Sequence, residues 1–469
     1  MSAYGERAAA LVIAPRQGEV SWPKVPALLV AFGLLLSWSA TLVGNQSFFQ
    51  LVLVVAGGSV LVMATTRSRH AALALLAALL IGHVGFSTDF AKTSIDVGGL
   101  PLYVTDFLLG PVLAGSLLSR RWRTSSARWL TTTIALFAGL ASALCLASLI
   151  GGAALQIVLY LAIPLVYYPL TALALAWNAD LSADRLFLIR VALFTCAVAV
   201  SSGLLSAAQG SFFATEQGVA RYIRGDSGTF IAAVFVVLLL SKGGALGSEL
   251  ALFGGGTALL SGIVLSQHRS IWVALGMGYL AGAAMARSRR TIARGAIWLV
   301  LLSVAVVGAI VFTGSEIVTS TLDRIASTTD TSSINAAWRL AAWDAAVDQI
   351  VDSPILGHGF GASFVFFFWG HQYVGAPHNS LINITWYMGI PGLTLLAVVQ
   401  GAFVTRVFRH RSLLSQRGWS PASIFAAWLT LITVAAFNVI LESPVGAVPF
   451  WLVVGLPFAS AGVRPESGA

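Results

Sequence analysis

The sequence predicts an all-α polytopic membrane protein, with about 12–14 transmembrane helices and one long extracytoplasmic loop. Three observations lead there. Of 469 residues, 57% are hydrophobic and only 10% charged, and the mean hydropathy is +0.86. A soluble domain carries about 25% charged residues, so most of this surface must face lipid. Apolar runs of bilayer length recur along the chain, and one long hydrophilic stretch, 314–382, interrupts them.

A helix needs about 20 mostly apolar residues to cross the hydrocarbon core, within a range of roughly 17–25. Stretches of this kind fall at 25–43, 48–66, 70–87, 104–119, 129–150, 153–176, 185–208, 227–241, 248–266, 270–286, 295–313, 383–405, 421–438 and 445–461, fourteen in all. The stretch 227–241 is short. Only a turn around Gln267-His268-Arg269 separates 248–266 from 270–286, and a re-entrant pair would reduce the count to twelve. The chain thus divides into a cytoplasmic tail (1–24), eleven spans (25–313), a large extracytoplasmic catalytic loop (314–382), the C-terminal spans (383–461) and a cytoplasmic tail (462–469). The first 24 residues lack a cleavable signal pattern, so the first span reads as an uncleaved anchor.

The pI near 10.0 and net charge of +9 would suit a nucleic-acid binder, but no nucleic acid is implied. With the N-terminus inside, 21 of the 27 basic residues fall on the cytoplasmic side, as the positive-inside rule requires. Cys145 and Cys196 lie inside apolar runs and read as small buried hydrophobes. Six basic residues remain outside: Lys92, Arg221, Arg224, Arg269, Arg324 and Arg339. Arginine stays charged and matches phosphate bidentately, so this set points to a lipid-linked phosphate or diphosphate. The alternative is pairing with Asp226, Asp323 or Asp330.

Within the outer loop, 334–351 reads as an amphipathic helix. Ala336, Leu340, Trp343, Val347 and Ile350 form its apolar stripe, and Asp344, Asp348 and Asp352 a solvated one. Ser332-Ser333 offers an N-cap and Ser353-Pro354 a stop. Arg339 borders the apolar stripe, which places it to turn inward. The acidic stripe reads as a solvated face rather than a metal site, so no metal is expected. In Pro354-Ile355-Leu356-Gly357-His358-Gly359-Phe360-Gly361 the glycines, Gly357 and Gly359 among them, permit a tight turn. The aromatics from Phe364 to Trp369 suit an interfacial belt. His378 stands at the head of a span, its backbone held by Pro377 and Asn379. An imidazole with an ordinary pKa near ~6.5 suits a general base at neutral pH. His268, His358 and His371 compete with it.

The pattern Arg339-x3-Trp343, Pro354 to Gly361, Pro377-His378-Asn379-Ser380-Leu381 and Gly389-Ile390-Pro391-Gly392 resembles the O-antigen ligase and Wzy O-antigen polymerase family. Arg221-Tyr222-Ile223-Arg224 is similar to the family's arginine-bearing external loop, and Leu265 to Ser270 to its short turn. The likeness covers roughly 220–395; upstream, the match is only a set of spans. It implies a GT-C-like bacterial inner-membrane glycosyltransferase whose site faces the periplasm. The donor would be an undecaprenyl-diphosphate-linked glycan, and the acceptor a lipid-linked glycan or lipid A-core. Transfer would invert the anomeric centre without cofactor or metal. Arg224, Arg339, Arg269 and Arg221 would bind the diphosphate and His378 would be the catalytic base, with Trp343, Gly357, Gly359 and Asn379 in support.

Fourteen spans favour a polymerase making O-antigen, capsule or exopolysaccharide, with a flippase and chain-length regulator as further partners. A ligase is the second reading. A lipid-linked sugar transporter is the alternative from another class, weakened by the scarcity of ionisable residues within spans.

Overall fold

The computed structural model describes residues 47–97, 100–123, 127–209, 213–214, 220–240, 249–266, 268–289, 292–297, 300–301, 304 and 334–459. The chain separates into two compact units, Met1–Gly57 and Gly58–Ala469. The elements that build the site all belong to the second. The expected span 25–43 and most of 295–313 lie outside the described residues, as do Asp323, Arg324, Asp330, Ser332 and Ser333.

Every other expected span coincides with helix. The order is Ser47–Arg67, Arg69–Gly85, Val104–Leu118, Arg128–Ile150, Leu155–Val166 with Leu170–Asn178, Arg185–Ala208, Gly225–Leu240, Glu249–Ser266, Arg269–Ala286, Ser380–Arg409, Pro421–Ala435 and Pro444–Gly455. The stretch expected as one span at 153–176 bends at 167–169, where Pro169 supplies no backbone N–H. Among the described residues, four helical stretches are long and apolar enough to cross a membrane: Arg128–Ile150, Leu155–Asn178, Arg185–Ser206 and Ser380–Arg409. Six shorter apolar helices accompany them.

The outward faces explain the solvent. Only 28% of the membrane-length window in Arg128–Ile150 is buried. Trp129, Leu136, Leu146 and Ile150 project outward at 56–79% exposure. A soluble monomer rarely leaves so continuous an apolar face in water; lipid accepts it. The protein is a multi-pass, all-α membrane protein.

At one helix–helix contact, small residues allow a close approach. In Arg269–Ala286, Gly278 and Gly282 lie four apart. A Cβ at Gly278 would sit 2.8 Å from the Ala426 carbonyl oxygen, and one at Gly282 would sit 2.8 Å from the Ala426 Cβ. This is the small-xxx-small contact by which membrane helices approach closely, and it seats Arg269–Ala286 on Pro421–Ala435.

Three two-stranded antiparallel hairpins complete the described structure: Ser94–Val97 with Leu100–Tyr103, Phe213–Ala214 with Ala220–Arg221, and Val365–Phe368 with His371–Val374. The aromatic run expected to suit an interfacial belt forms the first strand of the last hairpin. Trp369 and Gly370 both have positive φ, 51° and 77°, the condition for a tight two-residue hairpin turn. The strand buries Phe366 and Phe368 and exposes Phe367.

Candidate active site

The helix Ile334–Asp352 lies over the site and packs on it through small residues, while part of its apolar stripe is left uncovered by protein. Leu340 and Val347 are 54% and 51% exposed, whereas Ala342 and Ala346 are fully buried. Alanines allow the helix to sit close on its support, so the larger apolar residues rotate outward. Asp344, Asp348 and Asp352 are exposed. Arg339 turns inward and its Nη1 donates to the Phe437 carbonyl at 3.2 Å. Its Nε is buried without a hydrogen-bond partner among the described residues. Burial, and after it the nearby charge of Arg269, hold the Arg339 pKa below the ordinary arginine value.

Beyond this helix, the glycine-rich loop completes a broken one. In Ser380–Arg409, Gly389 has φ 65° and leaves helical geometry. Pro391 supplies no N–H for the Tyr387 carbonyl, and the Ile390 N–H is diverted to the Pro354 carbonyl at 2.7 Å. Two helix carbonyls thus lack their helical donors, and the loop provides them. The N–H of His358 donates to Trp386 O at 2.8 Å, and that of Gly359 to Tyr387 O at 3.1 Å. Gly357, at φ 64°, admits the approach: a Cβ there would lie 2.6 Å from Tyr387 O. His358 is spoken for in this joint. Its Nε2 donates to Gln349 O at 2.8 Å, and its ring stacks on Trp386 at 4.9 Å. Gln349 also accepts from Trp386 Nε1 and donates to Val365 O, tying the covering helix to the aromatic hairpin.

His378 is held on both sides. Before it, the buried Pro377 offers its carbonyl to Trp343 Nε1 at 2.7 Å. After it, Asn379 caps the next helix, its side-chain oxygen accepting from the N–H groups of Leu381 and Ile382. His378 itself is exposed and has φ 51°, a strained value for a residue with a Cβ. Its ring meets Trp338 edge-to-face at 5.1 Å, and Trp338 also meets Phe366 at 5.1 Å. Trp338 therefore joins covering helix, hairpin and imidazole, a role sequence reasoning missed. His371 lies exposed on the outer strand of that hairpin.

Beneath His378, helix ends meet in a polar layer. Ser380 donates to Glu442 Oε2 at 2.6 Å, and Asn383 Nδ2 donates to Oε1 at 2.9 Å. Asn438 O accepts from the Ser380 N–H at 3.2 Å, and Asn438 Nδ2 donates to Ser270 at 2.8 Å. Ser270 in turn bonds His268 Nδ1 at 2.8 Å, which gives His268 a structural place. Ser443 donates to Asp226 at 2.9 Å, and the Arg224 charge acts on that same carboxyl. The starts of Gly225–Leu240, Arg269–Ala286 and Ser380–Arg409 are joined in this way, with the turn 436–443 between them. Burial raises the Glu442 pKa above the usual carboxylate range; the bonds from Ser380 and Asn383 oppose this, and the Asp226 charge adds to it.

The structure thus links Arg224, Arg269 and Arg339 to one layer with His378 at its edge. The backbone of Arg221 pairs with Phe213 in a hairpin. Trp343, Gly357, Gly359 and Asn379 all shape the surrounding joints. Glu442 and Asn438 were not anticipated, and Asp226, expected only as an alternative partner for the arginines, does feel the Arg224 charge. Among the described residues, no three His, Cys, Asp or Glu side chains gather as a metal site would need.

Comparison with known proteins adds a family. A family model described as O-antigen ligase matches residues 254–397. That stretch contains Arg269, Arg339, Trp343, Gly357, Gly359, His378 and Asn379; Arg221 and Arg224 precede it and Glu442 follows it. No curated protein matches the chain. The covering helix, glycine-rich joint and His-Asn segment all lie inside the matched residues, so this part of the chain is similar to the O-antigen ligase family.

Proposed function

We propose that the protein is an extracytoplasmic glycosyltransferase that polymerises glycan repeat units carried on undecaprenyl diphosphate. The match to the O-antigen ligase family model by itself supports ligase- or polymerase-type transfer of lipid-linked glycans. The observation that carries the finer reading is the half-buried Arg339. Its orphaned Nε and its exposure to the Arg269 charge suit an anion held between two guanidinium groups.

In the proposed reaction the acceptor sugar hydroxyl attacks the anomeric carbon of the donor. The new glycosidic C–O bond forms as the bond from that carbon to the diphosphate oxygen breaks, with inversion. The electron pair leaves on the diphosphate, where Arg339, Arg269 and Arg224 stabilise the developing charge, with Arg221 as a further contributor. His378 takes the hydroxyl proton. Trp343 and Asn379 position the imidazole, and Gly357 and Gly359 let the loop seat beneath it. The reaction takes place on the outer face of the cytoplasmic membrane and uses no cofactor. Transfer to lipid A-core is the second reading, favoured by the family description as a ligase.

The test is reconstitution in proteoliposomes with undecaprenyl-diphosphate repeat unit alone. A ladder of lengthened glycans is expected, and His378→Ala should lower the rate by about 10²–10⁴-fold, the usual contribution of a general base. Transfer only after lipid A-core is supplied would replace polymerase with ligase. Full activity of His378→Ala would remove the base assignment.

A further inference from the structure

At the end of the bundle remote from His378 lies a cavity of about 1140 Å³. Helix Ser380–Arg409 breaks at Gly389; its second part, 390–409, runs about 30 Å at 1.5 Å per residue, and Phe408 near its far end and Arg411 just beyond it line the cavity. The space opens to its surroundings and has the size of a pocket that takes a ligand.

The lining is divided. The walls are almost wholly apolar and include Leu80 and Phe230 at the deep end. From Leu73 to Leu80 the lining follows its helix for about 10 Å, and from Leu240 to Phe230 for about 15 Å, at 1.5 Å per residue. The longer run is about half the ~30 Å hydrocarbon core, the depth of one leaflet. The mouth carries Arg185, Arg287 and Arg411, and no acidic residue is among the lining. Arg185 Nε is buried without a hydrogen-bond partner among the described residues. Arg287 caps its helix at φ 49°, a left-handed conformation an L-residue rarely holds. The acids nearby are engaged elsewhere: Asp184 lies 3.6 Å from Arg69 and 3.8 Å from His70, and Asp180 lies 3.9 Å from Arg69.

We propose that this cavity is a binding site for an anionic diacyl phospholipid of the leaflet on that side. The acyl chains fill the apolar walls to one leaflet's depth, and the phosphate rests on Arg185, Arg287 and Arg411. Basic pockets between membrane helices recognise headgroups through the same combination. The site is separate from the glycan-transfer chemistry and does not depend on it.

The test uses the full chain in mixed micelles containing phosphatidylglycerol or phosphatidylcholine, with retained lipid counted by native mass spectrometry. The wild type should retain phosphatidylglycerol over phosphatidylcholine by about tenfold, as paired basic residues at a membrane surface provide. The Arg287→Ala/Arg411→Ala variant should bring the two to parity. Arg409→Ala, which removes a nearby charge outside the lining, should leave the preference intact. Ala281→Trp, which fills the cavity, should reduce retention of both lipids. Absence of a preference in the wild type, its persistence in the double arginine variant, or an equal loss in Arg409→Ala would each overturn the proposal.

Discussion

Replacing Trp343 with Phe tests whether the His378 loop is held by a balance of small terms. The substitution keeps a ring near Phe437, whose centroid lies 6.3 Å away, and removes the 2.7 Å bond to the Pro377 carbonyl. That carbonyl belongs to a buried residue, and an unsatisfied buried acceptor costs about 1–3 kcal/mol. Against the loop stands the left-handed backbone of His378, worth about 1–2 kcal/mol. In its favour remain the Asn379 cap, about 1 kcal/mol, and the edge-to-face contact with Trp338, about 0.5–1.5 kcal/mol. The cap and ring contact roughly balance the strain, so the unsatisfied carbonyl, at about 1–3 kcal/mol, tips the loop toward release. At 1.36 kcal/mol per decade turnover should fall about 5- to 160-fold. The assay is initial-rate glycan transfer in proteoliposomes, alongside hydrogen exchange of the Asn379 and Ser380 amides, which should speed up. A wild-type rate together with unchanged exchange would refute the reasoning, because the bond would then hold nothing.

Three further perturbations follow from the same geometry. Gly389→Ala forces a Cβ to 2.4 Å from Ile355 O at φ 65°; thermal unfolding in detergent should show a loss of about 3 kcal/mol or more, the range of special-backbone disruptions. Arg339→Lys sacrifices the fork and the bond to Phe437 O, so transfer should drop about 10- to 100-fold while membrane insertion is retained; near-normal kinetics would exclude bidentate binding. Glu442→Gln concerns pH. Because burial raises the carboxyl above its ordinary 4.5, the wild type is favoured while Glu442 is protonated and loses that contribution as pH rises from about 4.5 through the folded-state value. The Gln variant should lack this slope, and its advantage in melting temperature should grow with pH; an advantage that shrinks would reverse the sign of the shift.

Much of the fold was legible because length and apolarity determine a membrane span almost alone. The arginines stood out against a strongly biased charge distribution, and the His-Asn and glycine motifs are local in sequence. What was hidden depends on contacts over long separations. Part of the expected stripe, Leu340 and Val347, is not covered by protein, because periodicity reports an apolar face without saying whether protein or lipid covers it. The aromatic hairpin went unread because Trp369-Gly370 was its only turn signal. Glu442 joins residues near 226, 270 and 380 that no spacing rule connects. It did leave a trace: it is the only acidic residue between Asp352 and Glu466, and an isolated acid at the head of an apolar span commonly marks function.

The joint between the glycine-rich loop and the break at Gly389 also sets the order of assembly. Residues 354–359 leave the ribosome before the helix whose carbonyls they satisfy. Until both are made, Trp386 and Tyr387 carry carbonyls with no donor in a medium that offers no water, so the second half of that helix cannot settle alone. Seating the loop is therefore part of inserting the helix, and a chain stalled short of Ile390 lacks the N–H that secures Pro354. Quality control acting on such a stalled chain would find the loop unanchored outside the bilayer, long before any question of sugar chemistry arises.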